Sequence, residues 1–251
     1  MAADRKPFAE KLRFLNRDAL KYLALFLMTL GHWEFHIYHI TNNKPLLLFS
    51  IAAQFFAPPV FFFFIAEGYH YTKSKKQYAL RLGLCTLITQ IPHTLSWPDY
   101  TWKTLFLQWS VLLTLFLGLL SLIVIHSTWK LPLRLLCTAG MAALSRIVRA
   151  EWAVGGIVLI LCFDLLREKK PLLRFAAFTA VTFAVVCVQV QGLPSPKQYL
   201  RLFLPVMLGG LTAVFCYNGK KGHFPTVSKY VFYIWYPLHL LLSWVFGLLG
   251  L

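Results

Sequence analysis

Nine apolar stretches, at residues 19–40, 46–69, 77–96, 104–126, 129–147, 151–166, 171–192, 199–217 and 228–250, take up most of this chain. Each is long enough, or nearly so, to cross a hydrocarbon core of about 30 Å as a helix. Inside lipid every backbone N–H and C=O must find a partner within the protein, which leaves helices or a closed barrel. Stretches of this length select helices. At 251 residues, 58% hydrophobic and with mean hydropathy +0.62, a water-soluble domain could not hide this much apolar surface. The expected fold class is an all-α polytopic membrane protein of about nine transmembrane helices. The fifth stretch carries Arg134, and the sixth is short and includes Asp164, so tilted or bent helices lining a cavity are expected there.

Charge sets the orientation. With the N-terminus in the cytoplasm, the inner connections carry 19 Lys and Arg and the outer ones 6, an alternation that follows the positive-inside rule. The C-terminus then lies outside. The net charge of +16 would suggest nucleic acid in a soluble protein; here it fits basic loops at anionic headgroups, and no nucleic-acid partner is expected. Residues 1–18 form a basic cytoplasmic segment, with Phe8, Leu12 and Leu15 on one side of a possible surface helix, and no cleavable signal peptide is visible. Residues 19–251 read as a single transmembrane domain, with WPDYTW (97–102) supplying aromatic rings at the outer interface. Cys85, Cys137, Cys162, Cys187 and Cys216 are scattered singly, so neither a disulfide frame nor a metal site is expected. There is no internal repeat, nucleophile elbow, P-loop or HExxH pattern.

Ionisable groups within spans are costly and therefore informative. In LKYLALFLMTLGHW (20–33), Lys21 and His32 are eleven residues apart, which puts them on one helical face and about 16 Å apart along the axis. His239, eleven residues into the last stretch from Ser228, reaches a depth similar to that of His32. Glu67 and His70 end the second stretch near the inner surface, and Arg81 opens the third at about that level. Lys21, Glu67 and Arg81, with Lys75 and Lys76, thus frame a charged cytoplasmic mouth beneath a layer of two histidines. Such a mouth suits a phosphorylated carrier whose long arm ends at a base, and coenzyme A has that form. Plainer readings stay open: Lys21 as a headgroup anchor, the histidines as helix–helix hydrogen-bonding groups, and Glu67 as a neutraliser of Arg81. The Phe run at 61–64 reads as a lipid-facing or packing surface. Glu34, Glu151, Arg146 and Arg149 read as an outer-surface cluster.

Six motifs in order carry a resemblance to a family. DALKYLALFLMTLGHW, FFFFIAEGYHYTKSKKQYALRL, LITQIPHTL, LLTLFLGLL, YNGKKG and YVFYIWYPLHLLL resemble segments of the TraX family, polytopic bacterial membrane proteins named for acetylation of F-type pilin and related to acyltransferase-3 membrane enzymes. The resemblance implies a multi-pass protein of the bacterial cytoplasmic (inner) membrane. It implies an acyltransferase that uses acetyl-CoA or another acyl-CoA as co-substrate, without a metal. The acceptor would be pilin or another peptide, lipid or glycan. Acyltransferase-3 proteins carry an Arg, ten residues and a catalytic His; here Lys21 and His32 have that spacing. With the charged mouth and the histidine layer read above, this makes His32, His239 and Glu67 the expected catalytic residues, and Lys21, Arg81, Lys75 and Lys76 the expected coenzyme-binding ones. The departure is Gly31, where the TraX pattern usually has Asp. A proton-coupled transporter and a non-catalytic assembly protein are the alternatives.

Overall fold

The computed structural model describes residues 12–97, 100–189 and 191–250. These residues fold as helices: α1 (Arg17–His32), α2 (Glu34–Thr41), α3 (Lys44–Ala53), α4 (Ala57–Tyr71), α5 (Lys75–Leu95), α6 (Trp102–Leu107), α7 (Val111–Ile125), α8 (Leu131–Ile147), α9 (Ala153–Leu165), α10 (Pro171–Gln189), α11 (Pro196–Cys216) and α12 (Pro225–Leu248). Five helical runs are long and apolar enough to cross a membrane: Lys44–Tyr71, Trp102–Ile125, Pro171–Val188, Pro196–Cys216 and Thr226–Leu248. The other four apolar stretches are helical too, but shorter, broken or more polar; Ala153–Leu165 is apolar and short. The surface helix expected near the N-terminus, Phe8 included, falls largely outside the described residues.

The breaks in the helices are informative. The first stretch divides at Trp33, so that His32 ends α1 and α2 starts afresh at Glu34. The second tightens into a 3₁₀ turn at Gln54–Phe56, just before Pro58 and Pro59, whose missing N–H groups disturb the regular ladder. Irregular backbone at such depth is tolerated where it lines a cavity, and the Gln54–Phe56 turn does so through Gln54 and Phe55.

Helix α4 occupies the centre. Every residue from Ala57 to Ala66 is buried, and Phe61, Phe62, Phe63 and Phe64 are 0–6% exposed, so this run packs inside the protein and does not face lipid. Lipid tails are as apolar as Phe, so the rings gain by fit rather than by escape from solvent. Edge-to-face pairs supply that fit: Phe61 with Phe232 (5.0 Å), Phe63 with Phe163 (5.5 Å) and Phe62 with Trp152 (5.7 Å), each worth about 0.5–1.5 kcal/mol.

A polar seam joins α1 to α12. Tyr22 donates to Ser228 Oγ (3.0 Å), Trp235 Nε1 to Thr29 Oγ1 (2.9 Å) and Trp33 Nε1 to the carbonyl of His239 (2.9 Å). Below the seam, the loop after α11 runs beside the residues preceding α1, through Leu15 N to Cys216 O, Asn218 N to Leu15 O and Arg17 N to Lys220 O, at 2.9–3.0 Å. Glycine is needed in that loop. Gly219 has φ +75°, and a Cβ at Gly222 would stand 2.1 Å from Asp18 Oδ2. The motifs DALK and YNGKKG, some 200 residues apart in sequence, are therefore two sides of one contact.

Candidate functional site

Two cavities lie along the α1 face that carries Lys21, Met28 and His32. The first, about 330 Å³, opens beside the start of α1. Its wall includes Lys21, Glu67 and Arg81, together with Arg17, Lys221 and Lys229, and Asp18 is the other acid there. Five cations against two carboxylates make it an anion-binding space. The Lys21 ammonium lies over the rings of Phe64 (5.1 Å) and Phe232 (5.9 Å), which fix it without neutralising it. No ion pair joins Glu67 to Arg81 among the described residues, and Glu67 Oε2 and Arg81 Nε have no hydrogen-bond partner there.

Lys75 and Lys76 stand apart from this cavity. Lys75 folds back, donating to the carbonyls of Tyr69 and Thr72 and lying over the Tyr69 ring (4.6 Å), so it caps the C-terminal end of α4. Lys76 is exposed.

The second cavity, about 280 Å³, is lined by His32, Gln54, Glu151, Trp152 and Tyr236 among others. Phe61 belongs to the walls of both cavities. His32 and His239 meet at its edge, with His239 Nε2 2.9 Å from His32 Nδ1. His239 is fully buried and its Nδ1 lies 3.0 Å from the Trp235 carbonyl. A carbonyl can only accept, so in the neutral pair His239 carries its proton on Nδ1 and offers a lone pair at Nε2. His32 must then donate from Nδ1. Its own Nε2 is left as a lone-pair nitrogen with no partner among the described residues, the arrangement of a base awaiting a proton.

Glu151, read from the sequence as one of an outer-surface cluster, also lines the His32 cavity, with its side chain 37% exposed. The turn that carries it has positive φ at Arg149 (50°), Trp152 (63°) and Ala153 (34°), and helical periodicity gives no sign of such a turn. The strain, of order 1–3 kcal/mol per such residue, is held by contacts to α7. Thr114 Oγ1 donates to the Glu151 carbonyl (2.6 Å), and Glu151 N donates to Trp109 O (2.9 Å). The Glu151 carboxylate accepts from Val111 N (3.2 Å), capping α7 where the N-cap residue Ser110 makes no side-chain cap, and pairs with His93 Nε2 at 3.2 Å. His93 lies in the LITQIPHTL motif.

Of the other expected outer-surface residues, Arg146 and Arg149 are exposed, and Glu34 accepts from Gln54 Nε2 (3.3 Å) beside the cavity. Gly31 has a local explanation. A Cβ there would stand 2.2 Å from Gln54 Cβ, so α1 and the 3₁₀ turn meet too closely for any side chain. The family's usual Asp has no room at this position, and the carboxylate that lines the His32 cavity is Glu151.

Comparison with known proteins agrees with the resemblance. The probable fimbrial assembly protein FimC, serogroup H1, of Dichelobacter nodosus is 24% identical over 255 residues, spanning 95% of this chain and 94% of that protein. No solved structure matches. The family described as TraX protein matches residues 16–247, which include both cavities and the α1–α12 seam. The chain belongs to the TraX family.

Proposed function

We propose that this protein is an integral acyltransferase of the bacterial inner membrane, moving an acetyl group from cytoplasmic acetyl-CoA to an amine or hydroxyl of an acceptor. The topology that goes with this reading has nine spans, the N-terminus inside and the C-terminus outside. The observation that carries it is the pairing of a cationic cavity with a base, both on one face of α1, with Phe61 in the walls of both cavities. Lys21 and Arg81, with Arg17, take the coenzyme's phosphates, and Glu67 keeps the cations apart. The pantetheine arm runs along α1 past Phe61, a path of about 16 Å between Lys21 and His32.

His32 Nε2 accepts the proton of the acceptor nucleophile as it attacks the thioester carbonyl. Collapse of the tetrahedral adduct breaks the C–S bond, and coenzyme A leaves as a thiolate that takes the proton back from His32. His239 holds His32 in the reactive tautomer, and Glu151 stabilises the imidazolium across the cavity. A pilin acceptor is favoured by the fimbrial name of the relative. That name equally favours a non-catalytic role in assembly, and one experiment separates the two.

Purified protein in nanodiscs is tested for acetyl-CoA binding and for release of free thiol, as wild type, His32→Ala and Lys21→Ala. The acyltransferase reading expects slow turnover by wild type, binding without turnover by His32→Ala, and weak binding by Lys21→Ala. Folded wild type that binds no acyl-CoA would sink it and leave the assembly role.

A further inference from the structure

Away from both cavities, three helices bring two imidazoles and a carboxylate together. His70 stands in the last turn of α4, His126 immediately after α7 and Asp164 near the end of α9. Asp164 Oδ1 lies 2.6 Å from His70 Nε2, and Oδ2 lies 2.8 Å from His126 Nε2. The three donor atoms are all within 4.8 Å of one another. The Asp164 side chain is 1% exposed, against 27% for His70 and 39% for His126. Tyr69 lies against both imidazoles, stacked on His126 and edge-on to His70, each at 5.2 Å, and so holds their rings in place.

Both side-chain partners of Asp164 are imidazoles. In a chain with 25 Lys and Arg, none forms an ion pair with Asp164 among the described residues; Arg167, three positions on, pairs with Glu168 (3.0 Å). Two imidazole nitrogens and one carboxylate oxygen are a donor set for zinc or a neighbouring transition metal and not for Mg²⁺ or Ca²⁺.

We infer that His70, His126 and Asp164 form a binding site for a divalent transition metal, Zn²⁺ in the first instance, with a fourth position open to water. The three ligands come from α4, α7 and α9, whose mutual packing forms much of the bundle, so the ion clamps their ends on the side predicted to face the cytoplasm. With zinc–ligand bonds of about 2.0–2.1 Å at tetrahedral angles, ligand atoms sit roughly 3.3 Å apart. Binding therefore opens the present contacts of 2.6 and 2.8 Å by roughly 0.7 and 0.5 Å, and the two partly exposed imidazoles have room to move. Each imidazole must present a lone pair at Nε2, so its proton shifts to Nδ1; from neutral rings no proton is released. The sequence hides the site because its ligands are 56 and 38 residues apart, with no local motif. It departs from the metal-free expectation and does not depend on the acyltransferase reading.

The test uses full-length protein in detergent, stripped with chelator, loaded with ZnCl₂, desalted and analysed for metal, with CoCl₂ loading in parallel. Wild type is expected to keep about one equivalent of zinc and, with cobalt, to show the intense visible bands of a four-coordinate site. His126→Gln and Asp164→Asn, checked for folding by gel filtration, are expected to lose the bands and to bind zinc at least tenfold more weakly. Wild type without retained zinc, or without the cobalt bands, overturns the proposal, and neither measurement needs a variant to fold. Equal retention by folded wild type and His126→Gln also overturns it, since the zinc would then sit elsewhere.

Discussion

Replacing Gly31 by alanine isolates the closest approach in the site. The new Cβ would stand 2.2 Å from Gln54 Cβ and 3.1 Å from Gln54 Cα, so no rotamer change relieves it, and α1 must move away from the 3₁₀ turn by about an ångström. Overpacking of this kind costs about 1–3 kcal/mol, and the rigidity of a backbone contact puts the value near the top of that range. Alanine returns about 1 kcal/mol in helix propensity, leaving a net loss near 2 kcal/mol. In a chain of this size that lowers the melting midpoint by about 4–8 °C. The assay is thermal unfolding in detergent, followed by intrinsic fluorescence. Gly140→Ala is the control: a Cβ there meets nothing within 4 Å, and the midpoint should hold or rise. Gly31→Asp should lose more than Gly31→Ala, because it also places a carboxylate at a buried position. A Gly31→Ala midpoint equal to or above wild type would refute the steric account of why this chain departs from its family.

Gly222→Ala and Asp18→Gly should each destabilise, yet the double variant should recover about 1–2 kcal/mol of the summed loss, because only removal of the whole Asp18 side chain, its Cβ included at 2.4 Å, clears the space a Cβ needs; strict additivity in the double-mutant cycle would show that the contact is slack. Glu151→Gln keeps an acceptor for Val111 N and should melt close to wild type, while thiol release falls at least about tenfold at unchanged acetyl-CoA binding. Activity at the wild-type level would remove Glu151 from the chemistry. Phe61→Leu trims a side chain in the walls of both cavities and should raise the butyryl-CoA to acetyl-CoA rate ratio; an unchanged ratio would mean that the acyl group does not pass this ring.

Sequence reading reached Lys21, His32 and His239 because each lies on a regular helix, where spacing fixes the face and distance from the entry point fixes the depth. Glu67 and Arg81 followed from the same count, and the structure sets them in one cavity with Lys21. Lys75 and Lys76 lie in the first turn of α5, where charge shows only the side of the membrane; whether a lysine enters a cavity or caps a helix depends on the turn before it. Glu151 and His93 were out of reach because their pairing is made by a turn with positive φ, and hydropathy carries no trace of backbone sign. The Phe run could be read as lipid-facing because lipid and protein interior are equally apolar. The composition of α4 is the same in either place, and the neighbouring helices decide.

The seam between α1 and α12 also governs when the site comes into being. His32 is made early and His239 late, with 206 residues between them, so a chain still on the ribosome carries a base without the partner that fixes its tautomer. The two imidazoles meet only after every intervening helix has been placed and α12 has closed against α1. On the proposed mechanism a nascent or truncated protein would be chemically silent, and α12 would complete the reactive centre as well as the fold.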